Sequence, residues 1–358
     1  MSTETLNEND KARAKGYDLE EVVAKKVLGT DYNYKHEYVT IFVIAHTLLQ
    51  LGWLYGFYVL LFHAKLVTFL WAYSVGFCSS IAAALGSHRY YSHKSYKASK
   101  PLEYALVFFQ TISGQNSVYR WAREHRLHHK YSDTDADPHN SNRGFFFSHM
   151  GWLMVKKHPL VKEKIKQIDV TDLKNDKLVM FQYKYFLILY FFIGFLLPVS
   201  VPIIFFNESF YCSFFVAWNF MYVTTLHFTW TINSWAHKFG TKHYDKRIKP
   251  TDTWVTWCLT AGEGWHNYHH SFPWDCRSSE LGTNGGLSTM ILEFFEKVGL
   301  ASNLKTASLD VVHGHRRRHG DEAFRKESGG KTLPQNGGAK TKTESLVDSL
   351  ANLPFGDD

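Results

Sequence analysis

Long apolar stretches constrain this chain more than any other feature of its sequence. A helix that crosses the hydrocarbon core of a bilayer needs about 20 mostly apolar residues. Four stretches have that length, at 39–62, 66–85, 185–206 and 210–232. The sequence therefore predicts an all-α integral membrane protein with four transmembrane helices. We expect an N-terminal segment (1–37), a membrane domain (38–300) and a C-terminal tail (301–358) whose polar part, from about residue 328, is disordered.

The short connections between these stretches set the predicted topology. Only a few residues, around Ala64 and Asn207, separate the first stretch from the second and the third from the fourth, so each pair forms a helical hairpin. The long segment 86–184 and both termini then share one side, which carries nearly all of the Lys and Arg residues. The positive-inside rule places that side in the cytosol. The apolar stretch 104–113 is too short to span and predicts an interfacial or buried helix.

Charge and cysteine usage narrow the class of protein. A formal charge of +7 is compatible with nucleic acid, an anionic membrane or an anionic ligand. Because the basic residues flank apolar stretches, we expect membrane lipid and no nucleic acid as a partner. Roughly the first 30 residues are polar, so no removable secretory signal is expected. The four cysteines are far apart and predict free thiols in a reducing compartment: Cys78, Cys212, Cys258 and Cys276.

Nine of the 20 histidines lie in four short patches next to the ends of the apolar stretches. The patches are HRYYSH (His88, His93), HRLHH (His125, His128, His129), NSWAH (Asn233, His237) and HNYHH (His266, His269, His270). On a helix, residues three and four apart share a face, so each HxxHH pattern is predicted to aim three imidazoles at one point. His88 and His93 are five apart, which an unbroken helix would splay by about 140°, so we expect the helix to end or distort there.

The count of histidines predicts a centre with two metal ions. The hairpin between the patches returns the chain to its starting side, so all four patches are expected on one face of the membrane. Imidazole suits iron, zinc, copper and nickel, and the ligand type does not choose among them. Nine imidazoles are too many for one ion and suit two, each with four or five nitrogens. Nearby carboxylates are candidates to bind the far ring nitrogens: Glu124, Asp133, Asp137 and Glu263.

A further histidine-rich stretch, HGHRRRH at 313–319, is interpreted differently. It is predicted to be a solvated basic segment near anionic lipid. Replacing His315 is therefore expected to matter little.

The motifs HRYYSH, HRLHHKYSDTDADPHN and HNYHHSFPWD resemble those of the membrane fatty acyl-CoA desaturases, specifically the stearoyl-CoA (Δ9) branch. The resemblance covers roughly 38–281 and includes WAREHRLHH, NSWAH and TAGEGWHNYHH. It implies four spans under a cytosolic helical cap that holds a histidine-rich di-iron centre, with the nine histidines as ligands of two iron ions (Fe2+) and Asn233 acting through water. It also implies a fatty acyl-CoA substrate, O2, electrons from cytochrome b5 and its NADH-dependent reductase, and residence in the endoplasmic reticulum membrane.

The resemblance further implies a bent tunnel around the acyl chain. The matching positions are Gln115, Trp121, Thr229 and Trp230, with Asn116 as a further substrate position; for the CoA phosphates they are Arg123, Glu124, Lys156 and Lys157. Glu124 stands where relatives often carry Asp, and the first patch has Tyr-Tyr where most relatives have Leu-Trp. The small residues Gly76 and Ser80 lie where the family closes the tunnel, which predicts room for an acyl chain of about 18 carbons or longer.

Two alternatives follow from the same residues. A desaturase of another regiospecificity or a fatty acyl hydroxylase would use the same ligands, because the outcome depends on how the chain is held. A histidine-rich metal transporter would place ligands along a path within the spans. The patches instead lie at one end of the stretches, which favours the enzyme.

Overall fold

The computed structural model describes residues 28–321. The first 27 residues of the predicted N-terminal segment and the predicted disordered tail lie outside the described residues. In chain order the elements are α1 (Thr40–Phe62), α2 (Leu66–Ile81) continued by a π-helix (Ala82–Ser92), β1 (Lys97–Ala98), α3 (Lys100–Ile112), α4 (Val118–Tyr131), α5 (Phe145–His149), α6 (Pro159–Lys164), α7 (Thr171–Asn175), α8 (Lys177–Leu189) continued by a π-helix (Tyr190–Leu196), α9 (Leu197–Phe206), α10 (Phe210–Cys212) continued by a π-helix (Ser213–Phe220), α11 (Met221–Ser234), α12 (Trp254–Leu259), α13 (His266–Ser271), α14 (Leu287–Lys297), β2 (Ala301–Ser302) and α15 (Leu309–His319).

Three helices of the described chain are long and apolar enough to cross a membrane. They are α1, the extended α2 (Leu66–Ser92) and the helix Lys177–Phe206, which is kinked at Tyr185. Their outward faces carry exposed apolar side chains such as Leu48, Leu187 and Phe205. Contact of such surface with water would cost about 25 cal/mol per Å², a cost that lipid removes. These helices agree with the predicted all-α membrane protein.

A fourth continuous helix, Phe210–Ser234, packs against α1, α2 and α9. It is less apolar than the other three, and its polar residues face neighbours: His227 Nε2 lies 2.9 Å from Gln50 Oε1. The backbones also approach closely, because a Cβ added at Gly56 would lie 2.5 Å from the carbonyl oxygen of Phe215. Small residues permit this kind of close helix packing in membranes. That this helix crosses the membrane stays a prediction.

The second apolar helix ends in a widened segment that carries the first histidine patch. The π-helix extends beyond the predicted end at 85 and stops at Ser92. The N–H of His93 donates to the carbonyl of His88 at 3.2 Å. Because a π-helix bonds residues five apart, it brings these two side chains towards the same side, and their ring centroids are 5.1 Å apart. The prediction that the helix ends or distorts here is confirmed.

Helices α3 and α4 lie beside this widened segment. Helix α3 is too short to span; it buries Leu106 and Val107 while Tyr104 stays exposed, in agreement with the predicted interfacial or buried helix. Helix α4 is capped by Ser117, whose Oγ accepts from the N–H of Arg120. This cap sets the start of the helix that carries the second histidine patch.

Residues 301–321 pack against the membrane domain. Strands β1 and β2 pair antiparallel, with Lys97 opposite Ser302 and Ala98 opposite Ala301. This short ladder joins the segment after the first histidine patch to the segment before α15.

Helix α15 corrects the interpretation of the HGHRRRH stretch. His315 is 3% exposed and its ring packs edge-on against Phe272, with centroids 5.3 Å apart. Val312, three residues earlier, is also buried, so α15 has one face directed to the protein interior. The prediction of a solvated stretch is therefore wrong for this face, although Arg317 and Arg318 are exposed. The sequence prediction weighed charge and missed the helical spacing of Val312 and His315.

The prediction of free thiols is confirmed, since all four cysteines are unpaired.

Candidate metal centre

The nine patch histidines converge in one region and form two groups. The five-histidine group comprises His88, His93, His125, His129 and His269; the four-histidine group comprises His128, His237, His266 and His270. Within each group, one nitrogen of every residue lies within 4.8 Å of the nitrogens of the others. The division agrees with the expectation of four or five nitrogens per ion.

Each HxxHH pattern supplies both groups, so the prediction that it aims three imidazoles at one point is wrong. The pairs spaced four apart stay together (His125 with His129, His266 with His270), while His128 and His269 turn to the other group. Residues four apart differ by about 40° around a helix, whereas adjacent residues differ by about 100°. Because the middle histidine points to a different side, each of the two helices connects the groups.

Facing ring nitrogens come close to one another within both groups. The Nε2 atoms of His88 and His269 are 2.9 Å apart in the five-histidine group. Those of His237 and His266 are 3.0 Å apart in the four-histidine group. Two metal–nitrogen bonds of about 2.1 Å at a right angle would place their nitrogens about 3.0 Å apart. The observed spacing therefore fits nitrogens that share a metal ion.

Buried carboxylates hold the second ring nitrogen of three histidines. Glu263 lies 3.2 Å from His88 Nδ1, Asp137 lies 2.9 Å from His128 Nδ1, and Asp133 lies 3.1 Å from His237 Nδ1. An ionised carboxylate only accepts, so Nδ1 carries the proton in each ring and Nε2 presents a bare lone pair. Three of the four carboxylates suggested by the sequence thus contact an imidazole.

The donor set fits a metal better than it fits a hydrogen-bond network. In each of these close pairs the carboxylate leaves a bare lone pair on one nitrogen, that of His88 or His237, and a cation between the two nitrogens would be bound by both. The Nε2 of His128 is buried and has no hydrogen-bond partner among the described residues. Burial, together with the neighbouring imidazoles, lowers the pKa of His125 and His129 well below the ordinary range, which keeps these rings neutral. The two groups can therefore hold metal ions, and nitrogen ligands alone do not fix which metal.

The outer carboxylates are ionised at neutral pH. Burial alone would raise the pKa of Asp137, but the imidazoles of His128 and His139 lower it below its ordinary value. Burial also acts to raise the pKa of Glu263, whereas Arg89 and His88 lower it to about 2. Both carboxylates therefore bring negative charge close to the nitrogen groups.

Arg89 is a site residue that sequence reasoning missed. It follows His88 directly, is 1% exposed, and donates to Glu263 at 2.5 Å and to the carbonyl of Cys276 at 2.6 Å. It also donates to Ser288 Oγ at 2.8 Å. A buried arginine requires such partners, so an arginine inside a histidine patch could have indicated a buried carboxylate nearby.

Asn267 and His139 were also missed. Asn267 lies within the third patch, is completely buried, and binds the loop after Tyr244 through its side-chain amide. His139 lies 3.5 Å from Asp137 and its ring centroid is 4.4 Å from that of His128. Both residues lie inside or just after a histidine patch, and that position could have identified them as site residues from the sequence.

The candidate CoA residues form ion pairs with carboxylates. Lys157 pairs with Glu124, and Lys156 pairs with Glu37 at 2.5 Å. Glu124 therefore does not hold an imidazole, and that part of the carboxylate prediction is wrong, because the side chain reaches a lysine of the neighbouring segment instead. Arg123 lies over the ring of Tyr119. Phosphate binding by these residues stays a prediction.

The structure brings several candidate tunnel residues together. Gln115 Nε2 donates to Thr229 Oγ1 at 2.9 Å, which connects the loop after α3 to α11. Trp121 stacks on His125 of the five-histidine group, with ring centroids 4.9 Å apart. Trp230 is buried at 4% exposure beside His227 and His149.

Asn116 has a left-handed backbone (φ 78°) and is exposed. Asn233 lies in the last turn of α11, half-buried, and its contact through water stays a prediction.

The two positions assigned to the tunnel end differ in their surroundings. A Cβ at Gly76 would lie 3.1 Å from Met221 and 3.3 Å from Thr225, so these side chains occupy the space beside it. Ser80 is half-buried one turn further along α2. Gly76 thus lets α2 approach α11, and the predicted room for a long acyl chain stays a prediction.

Two shallow cavities lie in the part of the chain that the structure describes. One of about 240 Å³ reaches His237 and Ser234 and is bordered by Lys238 and Lys249. The other, of about 520 Å³, is lined by apolar residues of α3 and α8 such as Phe108 and contains none of the candidate tunnel residues. The smaller cavity is bordered by one member of the four-histidine group, His237.

Comparison with known proteins agrees with this arrangement. A family model described as fatty acid desaturase matches residues 64–282. The chain is 45% identical over 304 residues to an acyl-CoA Delta-9 desaturase of Acheta domesticus, covering 84% of this chain and 85% of that protein. It is 45% identical over 291 residues to a stearoyl-CoA desaturase of Homo sapiens (81% of each). It is 44% identical over 281 residues to an acyl-CoA Delta-12 desaturase of Tribolium castaneum (78% of each). The chain therefore belongs to the fatty acid desaturase family.

Proposed function

We propose that this chain is an acyl-CoA desaturase that inserts a cis double bond at the Δ9 position of saturated long-chain fatty acyl-CoA. The observation that carries the proposal is the convergence of nine imidazoles into two nitrogen groups, with three rings oriented by buried carboxylates. Relatives named acyl-CoA Delta-9 desaturase and stearoyl-CoA desaturase support the substrate class.

The two groups would each hold one iron ion. Bound there, two iron ions would supply the activation of O2 and the removal of two hydrogens from adjacent methylene carbons. Overall, O2 takes up these two hydrogens, two electrons and two protons to give two molecules of water. Cytochrome b5 and its NADH-dependent reductase are the proposed source of the electrons.

The protein's own residues would orient the imidazoles and position the substrate beside them. The carboxylates keep each contacted imidazole in the tautomer that presents Nε2, so the nitrogens need no rearrangement when they bind metal. Trp121, stacked on His125, and the Gln115–Thr229 pair would position the acyl chain beside the centre. Arg123 offers a cation to the CoA phosphates, and Lys156 and Lys157 offer two more once their present carboxylate partners are displaced.

The proposed setting is the endoplasmic reticulum membrane. Four spans, with the helix Phe210–Ser234 as the fourth, would place both termini and the helical cap on the cytosolic side. The concentration of Lys and Arg in the segment between the hairpins and near the termini supports this orientation.

One alternative keeps the centre and changes the product. The Delta-12 relative of Tribolium castaneum is nearly as similar as the Delta-9 relative of Acheta domesticus, so overall identity does not separate the regiospecificities. A different double-bond position or a hydroxylated product is thus the competing outcome. The transporter alternative is disfavoured, because the histidines gather in two compact groups and not along a path through the spans.

Expression in a desaturase-deficient yeast tests the proposal. Mass spectrometry of the fatty acids should show Δ9 monounsaturated products with the natural chain and none with His128→Ala. The exposed carboxylate variant Asp169→Asn is the matched control and should behave as the natural chain does. Hydroxylated fatty acids or a double bond at another position as the main product would overturn the Δ9 assignment.

A further inference from the structure

The outer carboxylates are distributed unequally between the two histidine groups. The five-histidine group has Glu263, which contacts His88. The four-histidine group has both Asp133 and Asp137. Among residues 28–321, an ion in the second group would therefore have two carboxylates in contact with its ligands, and an ion in the first group would have one.

The single carboxylate of the five-histidine group is neutralised by a buried cation. Arg89 donates to Glu263 Oε1 at 2.5 Å, and the two side chains are 1% and 6% exposed. Ser288 Oγ donates to the same oxygen at 3.0 Å and accepts from Arg89 at 2.8 Å. Because the positive and negative charges lie side by side in a buried position, their fields largely cancel at the nitrogen group.

The two carboxylates of the four-histidine group bind uncharged donors instead. Asp133 accepts from the hydroxyls of Ser132 and Ser141. Asp137 accepts from the backbone N–H groups of Asp133 and His139. The ion pairs found for these two carboxylates in residues 28–321 are with imidazoles. Their negative charge is therefore not cancelled by an adjacent arginine, as that of Glu263 is.

Nearby lysines compensate this charge only weakly. Lys238 and Lys249 border the cavity beside His237 and are exposed, and Lys242, which interacts electrostatically with Asp133, is half-buried and makes no ion pair with it. Water and salt screen an exposed charge far more than a buried one. The side chains of Asp137 and Asp133 are 0% and 8% exposed, so their field at the metal position is the stronger one.

We propose that this charge pattern makes the two metal positions inequivalent, with the lower reduction potential at the ion in the four-histidine group. The inference rests on the proposed di-iron function. Negative charge stabilises the more oxidised ion, and a carboxylate bound to Nδ1 increases the basicity of the ligating nitrogen. The five-histidine group consequently accepts the first electron and the four-histidine group the second. Asp133, Asp137 and Glu263 act through the imidazoles and are positioning residues that also set the potentials.

A reductive titration of the iron-loaded full-length chain in nanodiscs, followed by Mössbauer spectroscopy, tests this order. The natural chain should give two midpoint potentials, and the difference between them is called the gap below. Asp137→Asn removes one charge behind the four-histidine group and keeps an oxygen acceptor for His128, so the lower potential should rise and the gap should narrow. Glu263→Gln leaves Arg89 uncompensated behind the five-histidine group, so the upper potential should rise and the gap should widen.

Opposite changes of the gap distinguish electrostatics from general damage to the centre. Asp133→Asn, which acts through His237, should narrow the gap as Asp137→Asn does and provides a second test if one variant folds poorly. Asp169→Asn removes the same charge at an exposed position and should move neither potential. Equal potentials in the natural chain, or a gap that changes in the same direction in Asp137→Asn and Glu263→Gln, would overturn the inference alone. Fewer than two irons in the natural chain would overturn the proposed function itself.

Discussion

Replacing Asn267 with alanine tests how the third histidine patch is held in place. The buried side chain accepts through Oδ1 from the N–H groups of Tyr244 (2.8 Å) and Asp245 (3.0 Å). Its Nδ2 donates to the carbonyls of Asp245 and Pro250, both at 2.9 Å. Helix α13 has only six residues and is too short to be stable by itself. The loop 244–250 therefore holds this helix through one amide group.

The magnitude follows from the groups left without a partner. Asn267→Ala removes four hydrogen bonds and leaves two N–H and two carbonyl groups buried, and each unsatisfied group costs about 1–3 kcal/mol. Water entering the vacated space recovers part of this. We expect the variant to lose about 3–5 kcal/mol of stability around the patch. Since His266, His269 and His270 would shift together, both histidine groups should lose metal.

The assay is iron content by mass spectrometry and thermal unfolding of the full-length chain in detergent. Asn175→Ala, at the exposed end of α7, is the matched control and should keep both iron content and thermal midpoint. Asn267→Ala should lower both. A variant that retained two irons and the natural midpoint would refute the idea that this amide positions α13.

Three further outcomes follow from the packing. His315→Ala should lower the free energy of unfolding by about 2 kcal/mol because it opens a space beside Phe272, whereas Val311→Ala, on the exposed face of the same helix, should have a smaller effect in the same thermal measurement. Burial, with a contribution from His227, lowers the pKa of His149 from 6.5 to about 4. Between these two pH values the unfolded chain binds a proton that the folded chain excludes, so stability is lost as pH falls from 6.5 towards 4. In His149→Gln the thermal midpoint should therefore depend less on pH in this window. An unchanged pH dependence of the midpoint would contradict the argument. Gly56→Ala would place a Cβ 2.5 Å from a backbone oxygen of the adjacent helix and should cost about 1–3 kcal/mol, seen as a lower thermal midpoint.

Local patterns were enough to predict much of this molecule. The length of the apolar stretches predicts spanning helices, because a bilayer core has a fixed thickness. The spacing of His88 and His93 predicts a distorted helix, since a regular one cannot bring both to one side. The number of histidines predicts two metal positions. These inferences concern residues close in sequence, where helix geometry sets the relation between side chains.

Tertiary structure alone decided which partners meet across the chain. The two HxxHH helices divide their imidazoles between both groups, because the direction of each ring depends on what faces the helix. Glu124 meets a lysine, Glu263 meets Arg89 and His88, and His315 is buried against Phe272, and no local pattern in the sequence indicates these partners. Sequence by itself determined the membrane class and the set of clustered histidines. The pairing of charges and ligands came from packing, because burial and distance are properties of the folded chain and not of any local pattern.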